Sequence, residues 1–267
     1  MSDSQRQRFD DLVARAHHED GRAPFSDTAL YEYSQGQREL IWLGDAVALA
    51  TPTRAQFVVD PDHRRTGQGT AMLSLLQEGR DSLLVWALGD HPGAKALAAS
   101  HGFEPVRSRL HMHAVVTSLH AGQGPWVTSF ADSDAEEWMA LNARAFAGHP
   151  ELGAIDRAAL EATMAEPWFT KEDFLLLHEH KRIVAYAWMK VGESIGEFYV
   201  IGVDPDRRGE GLGRRMVDAG FAHLADRGIR SAQLYVESDN IPAQRLYHSM
   251  GFTENAIDVQ YSWTRPV

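Results

Sequence analysis

The stretch Glu197–Arg214, EFYVIGVDPDRRGEGLGR, decides the fold of this chain. After the leading glutamate, its first residues up to Val203 are mostly aromatic or β-branched, which predicts a buried strand. A turn and a glycine-rich segment follow, and apolar residues then recur at helical spacing from Leu212. A strand, a glycine-rich turn and a helix in this order aim backbone N–H groups at a phosphate. We therefore predict a phosphate-binding loop at Arg208–Gly213.

The same pattern occurs earlier in the chain. Val58–Thr70 reads VVDPDHRRTGQGT and also leads into a helical run. Asp60 and Asp204 are 144 positions apart, and so are Gly69 and Gly213. A fixed offset between two matching segments indicates an internal duplication.

The duplication predicts two tandem domains, 1–119 and 124–267. The polar segment Ser118–Pro125 contains two glycines and a proline, as is typical of a linker. Strands and helices alternate in both halves, which predicts an α/β or α+β fold.

Composition narrows the class of protein. The chain has 267 residues, a net charge of −11 and no cysteine. Without cysteine we expect no disulfide, no thiolate metal site and no acyl-cysteine intermediate. No apolar run approaches the ~18 residues of a membrane span, no apolar signal segment is visible, and an acidic surface repels nucleic acid. We expect a cytoplasmic monomer that binds a small molecule, with no metal, no nucleic acid and no membrane.

The two halves differ in the residues that can move protons. Seven residues before the aspartate of each repeat, the second half has Glu197 and the first half has Thr53. On the late helix, the second half has Tyr247 where the first has Ala98. Acyl transfer to an amine needs a base, and an acid on the leaving thiolate helps. We predict that Glu197 is the base, acting through water, and that Tyr247 is the acid. The second half is then catalytic and the first is not.

Several runs of residues resemble the mycothiol synthase family of tandem GCN5-related N-acetyltransferases. The resemblance covers nearly the whole chain. The matching runs are Val85–Asp90, Ala145–Glu151, Leu234–Asn240, Leu246–Tyr247, Gly251–Phe252 and Asp258–Ser262. It implies two acetyltransferase domains, each a mixed, mostly antiparallel sheet flanked by helices. It also implies transfer of acetyl from acetyl-CoA to the cysteinyl amine of cysteinyl-glucosaminyl-inositol, the last step of mycothiol biosynthesis.

The resemblance also implies which residues bind acetyl-CoA. In the second half they are Ile201, Gly202, Val203, Arg208, Gly209, Glu210, Gly211, Leu212, Gly213, Arg214, Asn240, Ile241, Pro242, Ala243, Gln244 and Arg245. In the first half they are Phe57, Val58, Val59, Arg65, Thr66, Gly67, Gln68, Gly69 and Thr70. Whether the first half binds the cosubstrate stays open.

For the amine substrate, the resemblance implies Glu151, Lys190, Glu197 and Tyr235. The family also has a glutamate near Asp27, which is one methylene shorter. We expect Asp27 to cap a short helix as well. Two alternatives stay open: an acetyltransferase for another amine, such as a protein N-terminus, a polyamine or an aminoglycoside, and a non-catalytic acyl-CoA sensor.

Two further patterns are set aside. Gly192–Gly196 matches Gly-x-Ser-x-Gly, but a strand follows it where a nucleophile elbow needs a helix. His111 and His113 lack the spacing and partners of a zinc site, and we interpret them as strand-face or exposed residues.

Overall fold

The computed structural model describes residues 3–117, 127–149, 152–153 and 155–266. Helices and strands alternate along it, as the apolar periodicity predicts. The helices are α1 (Asp3–Asp20), α2 (Asp27–Ser34), α3 (Gln68–Gln77), α4 (Pro92–Ser100), α5 (Ala135–Ala145), α6 (Arg157–Met164), α7 (Leu212–Asp226) and α8 (Ile241–Ser249). The strands are β1 (Glu39–Leu43), β2 (Ala46–Ala50), β3 (Arg54–Val59), β4 (Ser82–Ala87), β5 (Glu104–Val115), β6 (Val127–Ser129), β7 (Phe174–Glu179), β8 (Arg182–Val191), β9 (Gly196–Val203), β10 (Ser231–Glu237) and β11 (Thr253–Thr264).

The chain forms two compact units. Unit 1 contains the described residues up to Leu110 and those from Ala256 onward, and unit 2 contains those from His111 to Asn255. None of the helices in the described part of the chain is both long and apolar enough to cross a membrane.

Unit 1 is a sheet with helices on both faces. Its strands are ordered β1-β2-β3-β4-β11, and neighbours are antiparallel except for the parallel pair β3 and β4. On one face, α1 buries Phe9 and Leu12 against β2 and β3. On the other, α3 buries Met72 and Leu76. Both helices place apolar residues at helical spacing toward the sheet, which is what stabilises them.

Unit 1 takes its last strand from β11. Val259 pairs with Ala87 of β4, and the pairing runs antiparallel to Thr264 opposite Ser82. The Tyr261 hydroxyl also donates to Asp90 at 2.9 Å.

The units therefore differ from the predicted domains 1–119 and 124–267. The described residues from Ala256 onward group with unit 1, and those from His111 to Asn255 group with unit 2, because β11 and β5 each pair with a strand of the other repeat. The linker predicted at Ser118–Pro125 lies outside the described residues. The division into domains by sequence position stays a prediction.

Unit 2 has the strand order β5-β10-β9-β8-β7-β6. An aromatic cluster fills one side of its sheet: Trp188 stacks on Phe174 with centroids 4.5 Å apart, and Trp138 of α5 meets Phe174 edge-on at 5.3 Å. On the other side, α7 packs Phe221 against Phe198 of β9. Aromatic side chains therefore pack on both faces of the sheet, and their burial contributes strongly to the stability of unit 2.

Strand β5 was not predicted, although the sequence contains the alternating pattern of a strand. In this strand Leu110, Met112 and Ala114 alternate with His111 and His113, which is the period of two expected for a strand. The structure buries Met112 and Ala114 and leaves the two histidines half-buried on the opposite face. The interpretation of the histidines as strand-face residues is therefore confirmed.

The internal repeat is visible in matching hydrogen bonds. Asp60 accepts from the amide of Asp62 at 3.3 Å, and Asp204 accepts from the amide of Asp206 at 3.1 Å. Each carboxylate also pairs with an arginine of the first helix of its half. The pKa of Asp60 lies below its usual range, chiefly because Arg15 donates to it. Both turns are thus held in the same way in the two halves.

Candidate active site

A cleft opens in unit 2 where two parallel strands separate. β9 and β10 are paired from Ala232 opposite Gly196 to Leu234 opposite Phe198. Beyond Phe198 no further pairing joins them among the described residues, while β9 stays paired with β8 up to Val203. The edge of β9 that faces β10 therefore leaves backbone N–H and C=O groups for a ligand.

A β-bulge lies at the point where the strands separate. Trp188 pairs with Val200 and the next residue of β8, Met189, pairs with Phe198, so Tyr199 is the extra residue. A bulge reverses the alternation of side chains beyond it. Strict alternation along β9 would place Glu197, Tyr199 and Val203 on one face. That is wrong for Val203, which lies on the α7 side, 3.8 Å from the position of a Cβ on Gly213.

The phosphate-binding loop has the geometry that its glycines predict. Gly209 and Gly211 adopt φ of +86° and +77°, in the left-handed region that favours glycine. Gly213 lets α7 approach α8, since a Cβ there would lie 3.1 Å from Leu246. The first helical amide with a partner is that of Arg215, which donates to the Gly211 carbonyl. Within the described residues, the amides from Gly209 to Arg214 have no protein acceptor, so they suit an anion at a helix N-terminus.

Charged side chains surround this loop, and most of them are already paired. Glu210 pairs with Arg207, which also donates to Glu179 at 2.9 Å. The hydrogen bonds that Arg207 donates to Glu210 are the main cause that lowers the pKa of Glu210. Arg208 is exposed and, among the described residues, donates only to the Ala145 carbonyl, at 3.3 Å. Arg208 is therefore a cation of the loop that a phosphate could recruit.

Glu197 lies at the closed end of the cleft. It is half-buried, opposite Lys190 of β8 and opposite Gln233 of β10 in the strand register. The Gln233 amide donates to Glu197 Oε2 at 2.8 Å. The structure therefore brings together two of the predicted substrate residues, and Gln233 holds one of them.

Aromatic rings line the same face. Trp168 lies beneath the Lys190 ammonium, 5.5 Å from it, and its ring centroid is 5.2 Å from that of Tyr199. Tyr235 is 37% exposed and stacks on His111, with centroids 4.7 Å apart. Such faces suit a sugar or polyol that packs on rings while its hydroxyls bond to charged groups. Trp168, Tyr199 and His111 were not predicted as site residues.

Tyr247 is placed on α8, away from the polar end of the cleft. Its side chain is 9% exposed and its ring lies 5.8 Å from that of Phe252. Burial raises the pKa of Tyr247 to about 12. The phenol therefore keeps its proton at every working pH and is available as a donor.

The start of α8 forms the other wall of the cleft. The Asn240 side chain caps the helix by accepting from the Ala243 amide at 3.3 Å. The Gln244 amide donates to the carbonyls of Glu237 and Ser238, at 3.1 and 2.8 Å, and so ties the helix to the end of β10. Asn240 and Gln244 therefore have structural roles, whatever ligand they contact.

Glu151 and Pro150 lie outside the described residues, whereas His149 and Leu152 lie within them. The Leu152 amide donates to His149 Nδ1 at 3.1 Å, and His149 Nε2 lies 4.0 Å from Glu237 at the end of β10. Asp27 lies in unit 1 and is exposed. The prediction that Asp27 caps α2 is wrong: Ser26 caps it, by accepting from the Ala29 amide at 3.2 Å.

Unit 1 keeps the glycine-rich loop, but the arginines in it differ in setting from their counterparts in unit 2. Gly67, the counterpart of Gly211, has φ of +88°, while Arg65 stands in place of Gly209 with a strained φ of +63°. Arg64, the counterpart of Arg208, is held by both oxygens of Asp20 at 2.7 Å. The loop of unit 1 therefore still offers backbone amides to an anion, but it provides less free positive charge than the loop of unit 2.

The residue of the first half that corresponds to Glu197 in the structure is not the one that the sequence alignment gives. β3 pairs with β2 without a bulge, and Arg54 pairs with Leu84 of β4. Gln233, which pairs with Glu197, matches Leu84 in the repeat. The structural counterpart of Glu197 is therefore Arg54 and not Thr53, because the bulge adds one residue to the second repeat only. The first half still has no carboxylate here.

No group of three or more histidine, aspartate or glutamate side chains within the described ranges could hold a metal ion.

The fold and this cleft define the class of protein. Residues 135–252 match the acetyltransferase (GNAT) family. A GCN5-related N-acetyltransferase from Sphaerobacter thermophilus has a similar fold: its TM-score is 0.71 at 19% identity, covering 97% of this chain and 92% of that one. A tandem GNAT protein from the clavulanic acid biosynthesis pathway also gives 0.71, at 17% identity, covering 98% and 95%.

Sequence relatives narrow the class further. The mycothiol acetyltransferase of Clavibacter michiganensis subsp. michiganensis is 41% identical over 94% of this chain and 89% of its own length. The chain belongs to the mycothiol acetyltransferase family of tandem GNAT proteins and is an N-acetyltransferase. The predicted fold class and family are confirmed.

Proposed function

We propose that this enzyme transfers acetyl from acetyl-CoA to the cysteinyl amine of cysteinyl-glucosaminyl-inositol, acting as a monomer in the cytoplasm. The observation that carries the proposal is the cleft of unit 2. There an open strand edge, a row of unpartnered amides and a held carboxylate occur together.

The residues of the second half fit acetyl-CoA, which supplies the acyl group as a thioester. The amides from Gly209 to Arg214, with Arg208, would hold its phosphates. The free edge of β9 at Ile201–Val203 would hold its extended arm by strand-like hydrogen bonds. A backbone N–H on the same edge is placed to stabilise negative charge on the thioester oxygen. The two ends of the donor are thus gripped by one strand and the helix that follows it.

Glu197 acts as the base. An ammonium cannot attack a carbonyl, so the acceptor first gives a proton to Glu197, through water. Residues Glu197 and Ile201 are four positions apart on β9, about 13 Å at ~3.3 Å per residue. A gap of that length would be bridged by a relay of several water molecules. Lys190, opposite Glu197 in the strand register, would contact substrate oxygens.

Tyr247 acts on the leaving group. The new C–N bond forms as the C–S bond breaks, and the second ammonium proton passes to solvent. With a pKa of about 12, Tyr247 gives its proton to a thiolate of pKa about 8.5 only uphill, by roughly 5 kcal/mol. Its main contribution is therefore a hydrogen bond to the sulfur as charge builds. The CoA thiolate then takes up a proton from solvent by way of the Tyr247 hydroxyl, and Glu197 returns to solvent the proton that it received.

The acceptor would bind on the ring-lined face. Tyr235 and Trp168 provide flat surfaces for a sugar and a cyclitol, and Lys190 bonds to their hydroxyls. Glu151 and Asp27 are further candidates for contact with the acceptor. The first half, with Arg54 and Ala98 at the proton-moving positions, has no catalytic role.

The proposal is tested by turnover of the purified full-length chain. With acetyl-CoA and cysteinyl-glucosaminyl-inositol we expect thiol release and an N-acetylated product. A peptide amine, a polyamine and an aminoglycoside serve as competing acceptors. Release of thiol with one of these, and none with the cysteinyl acceptor, would assign the enzyme to another amine. CoA binding with no turnover on any acceptor would support a sensor.

A further inference from the structure

A chain of hydrogen bonds leads from Glu197 to a strand of the first repeat. The Gln233 amide nitrogen donates to Glu197 Oε2 at 2.8 Å. The Gln233 amide oxygen lies 3.2 Å from His111 Nε2. His111 Nδ1 lies 3.5 Å from the side-chain nitrogen of Asn255. His111 belongs to β5, whereas Glu197 and Gln233 belong to the second repeat.

The chemistry of the groups sets the direction of every bond. An ionised carboxylate only accepts, so Gln233 must present its NH₂ to Glu197 and its oxygen to His111. His111 must then donate from Nε2, and in its neutral form Nδ1 is an acceptor that faces the Asn255 amide. This arrangement fixes one rotamer of Gln233 and one tautomer of His111. The carboxylate is held in one orientation at the far end.

His111 has a second contact in the site. Its ring stacks on Tyr235, with centroids 4.7 Å apart and planes 15° apart. The one imidazole therefore supports the carboxylate through Nε2 and the exposed phenol ring through its face.

We infer that Gln233 and His111 are positioning residues of the acetyl transfer: Gln233 orients Glu197, and His111 both locks Gln233 and supports Tyr235. The inference rests on the proposed roles of Glu197 and Tyr235. It also gives the first repeat a task in catalysis. The repeat that lacks its own base supplies, on β5, the residue that holds the base of unit 2.

Two substitutions separate the two contacts of His111. His111→Phe keeps a ring against Tyr235 and removes the donor to Gln233. His111→Gln keeps a donor of similar reach and removes the ring. For His111→Phe we expect kcat to fall roughly fivefold to tenfold, as for loss of support to a hydrogen bond on a charged group. The acceptor KM should stay within twofold. For His111→Gln we expect the acceptor KM to rise several-fold and kcat to stay within twofold.

The pH profile separates positioning from a general structural effect. The Gln233 donor favours the ionised carboxylate. In Gln233→Leu and His111→Phe, the acid limb of the kcat/KM profile should therefore move to higher pH. His111→Gln should keep the acid limb of the parent.

His113 provides the matched control. It lies two residues along the same face of β5 and bonds to Ser231 on β10 at 2.5 Å, so it makes the same kind of interstrand contact. His113→Phe should lower the melting temperature as much as His111→Phe does and leave kcat, the acceptor KM and the acid limb unchanged. Equal kinetic losses in the two variants would overturn the inference, since they would reflect damage to the strand.

Glu197→Gln keeps the two levels of the proposal apart. If it loses most of kcat while Gln233→Leu and His111→Phe match the parent in kcat and acid limb, the base stands and the positioning role is rejected. If Glu197→Gln turns over like the parent, the role of Glu197 itself fails and the positioning role falls with it.

Discussion

A matched pair of glycine substitutions tests whether only the phosphate-binding loop of the second half serves catalysis. Gly211 and Gly67 occupy the same position of the repeat, each as the residue before the helix of its loop, with φ of +77° and +88°. A Cβ built on either would have no atom within 4 Å. Substitution by alanine therefore costs strain and no clash in both, about 1–2 kcal/mol.

The stability cost of the two substitutions should accordingly be the same. It corresponds to a fall in melting temperature of roughly 2–8 °C for units of this size. The effects on activity should differ. Alanine at Gly211 places a methyl group where the phosphates would approach the amides, and we expect the KM for acetyl-CoA to rise at least tenfold, about 1.4 kcal/mol. Gly67→Ala should turn over like the parent.

The assay is steady-state thiol release over a range of acetyl-CoA concentrations, with thermal unfolding of each variant alongside. The fall in melting temperature reports whether the strain was introduced in both. Abolished chemistry in Gly67→Ala, with Gly211→Ala active, would refute the reasoning. So would equal rises in KM in the two variants.

Three further outcomes are expected. Glu197→Gln should lower kcat by about a hundredfold, the scale of a lost general base, with CoA affinity by calorimetry unchanged; a kcat within threefold of the parent contradicts the assignment. Tyr247→Phe should lower kcat about tenfold by a ratio that stays constant from pH 7 to 10, since burial raises the pKa of Tyr247 to about 12; an alkaline fall near pH 9 that vanishes in the variant would argue against this. Gly202→Ala should destabilise by about 1–3 kcal/mol, because its Cβ would lie 2.3 Å from the buried Tyr186 ring; a melting temperature equal to that of the parent would show that the ring can move.

Part of the fold follows from local sequence pattern. The strand up to Val203, the phosphate-binding loop and the helix after it were predicted from residue type, glycine spacing and apolar periodicity. The partners of the strands were not. Whether β11 or β5 lies beside β4 is decided by contacts between residues far apart in sequence, such as Tyr261 with Asp90, and period-two alternation carries no information about them.

The candidate site was predicted in part, for the same reason. Glu197 and Lys190 were singled out from the sequence, and the register pairs them. The bulge at Tyr199 has no sequence signal. The alignment of the two halves therefore placed Thr53, and not Arg54, opposite Glu197. Gln233 and His111 reach Glu197 through strand neighbours, and only the sheet order shows that.

A crystal structure of the full-length chain with a non-reactive acetyl-CoA analogue would test the central claim most directly. The account predicts the analogue's phosphates on the amides between Gly209 and Arg214, and its thioester end flanked by the Tyr247 hydroxyl and, through ordered water, by Glu197. A thioester end remote from both side chains would contradict this claim. So would an analogue bound only at the loop around Gly67.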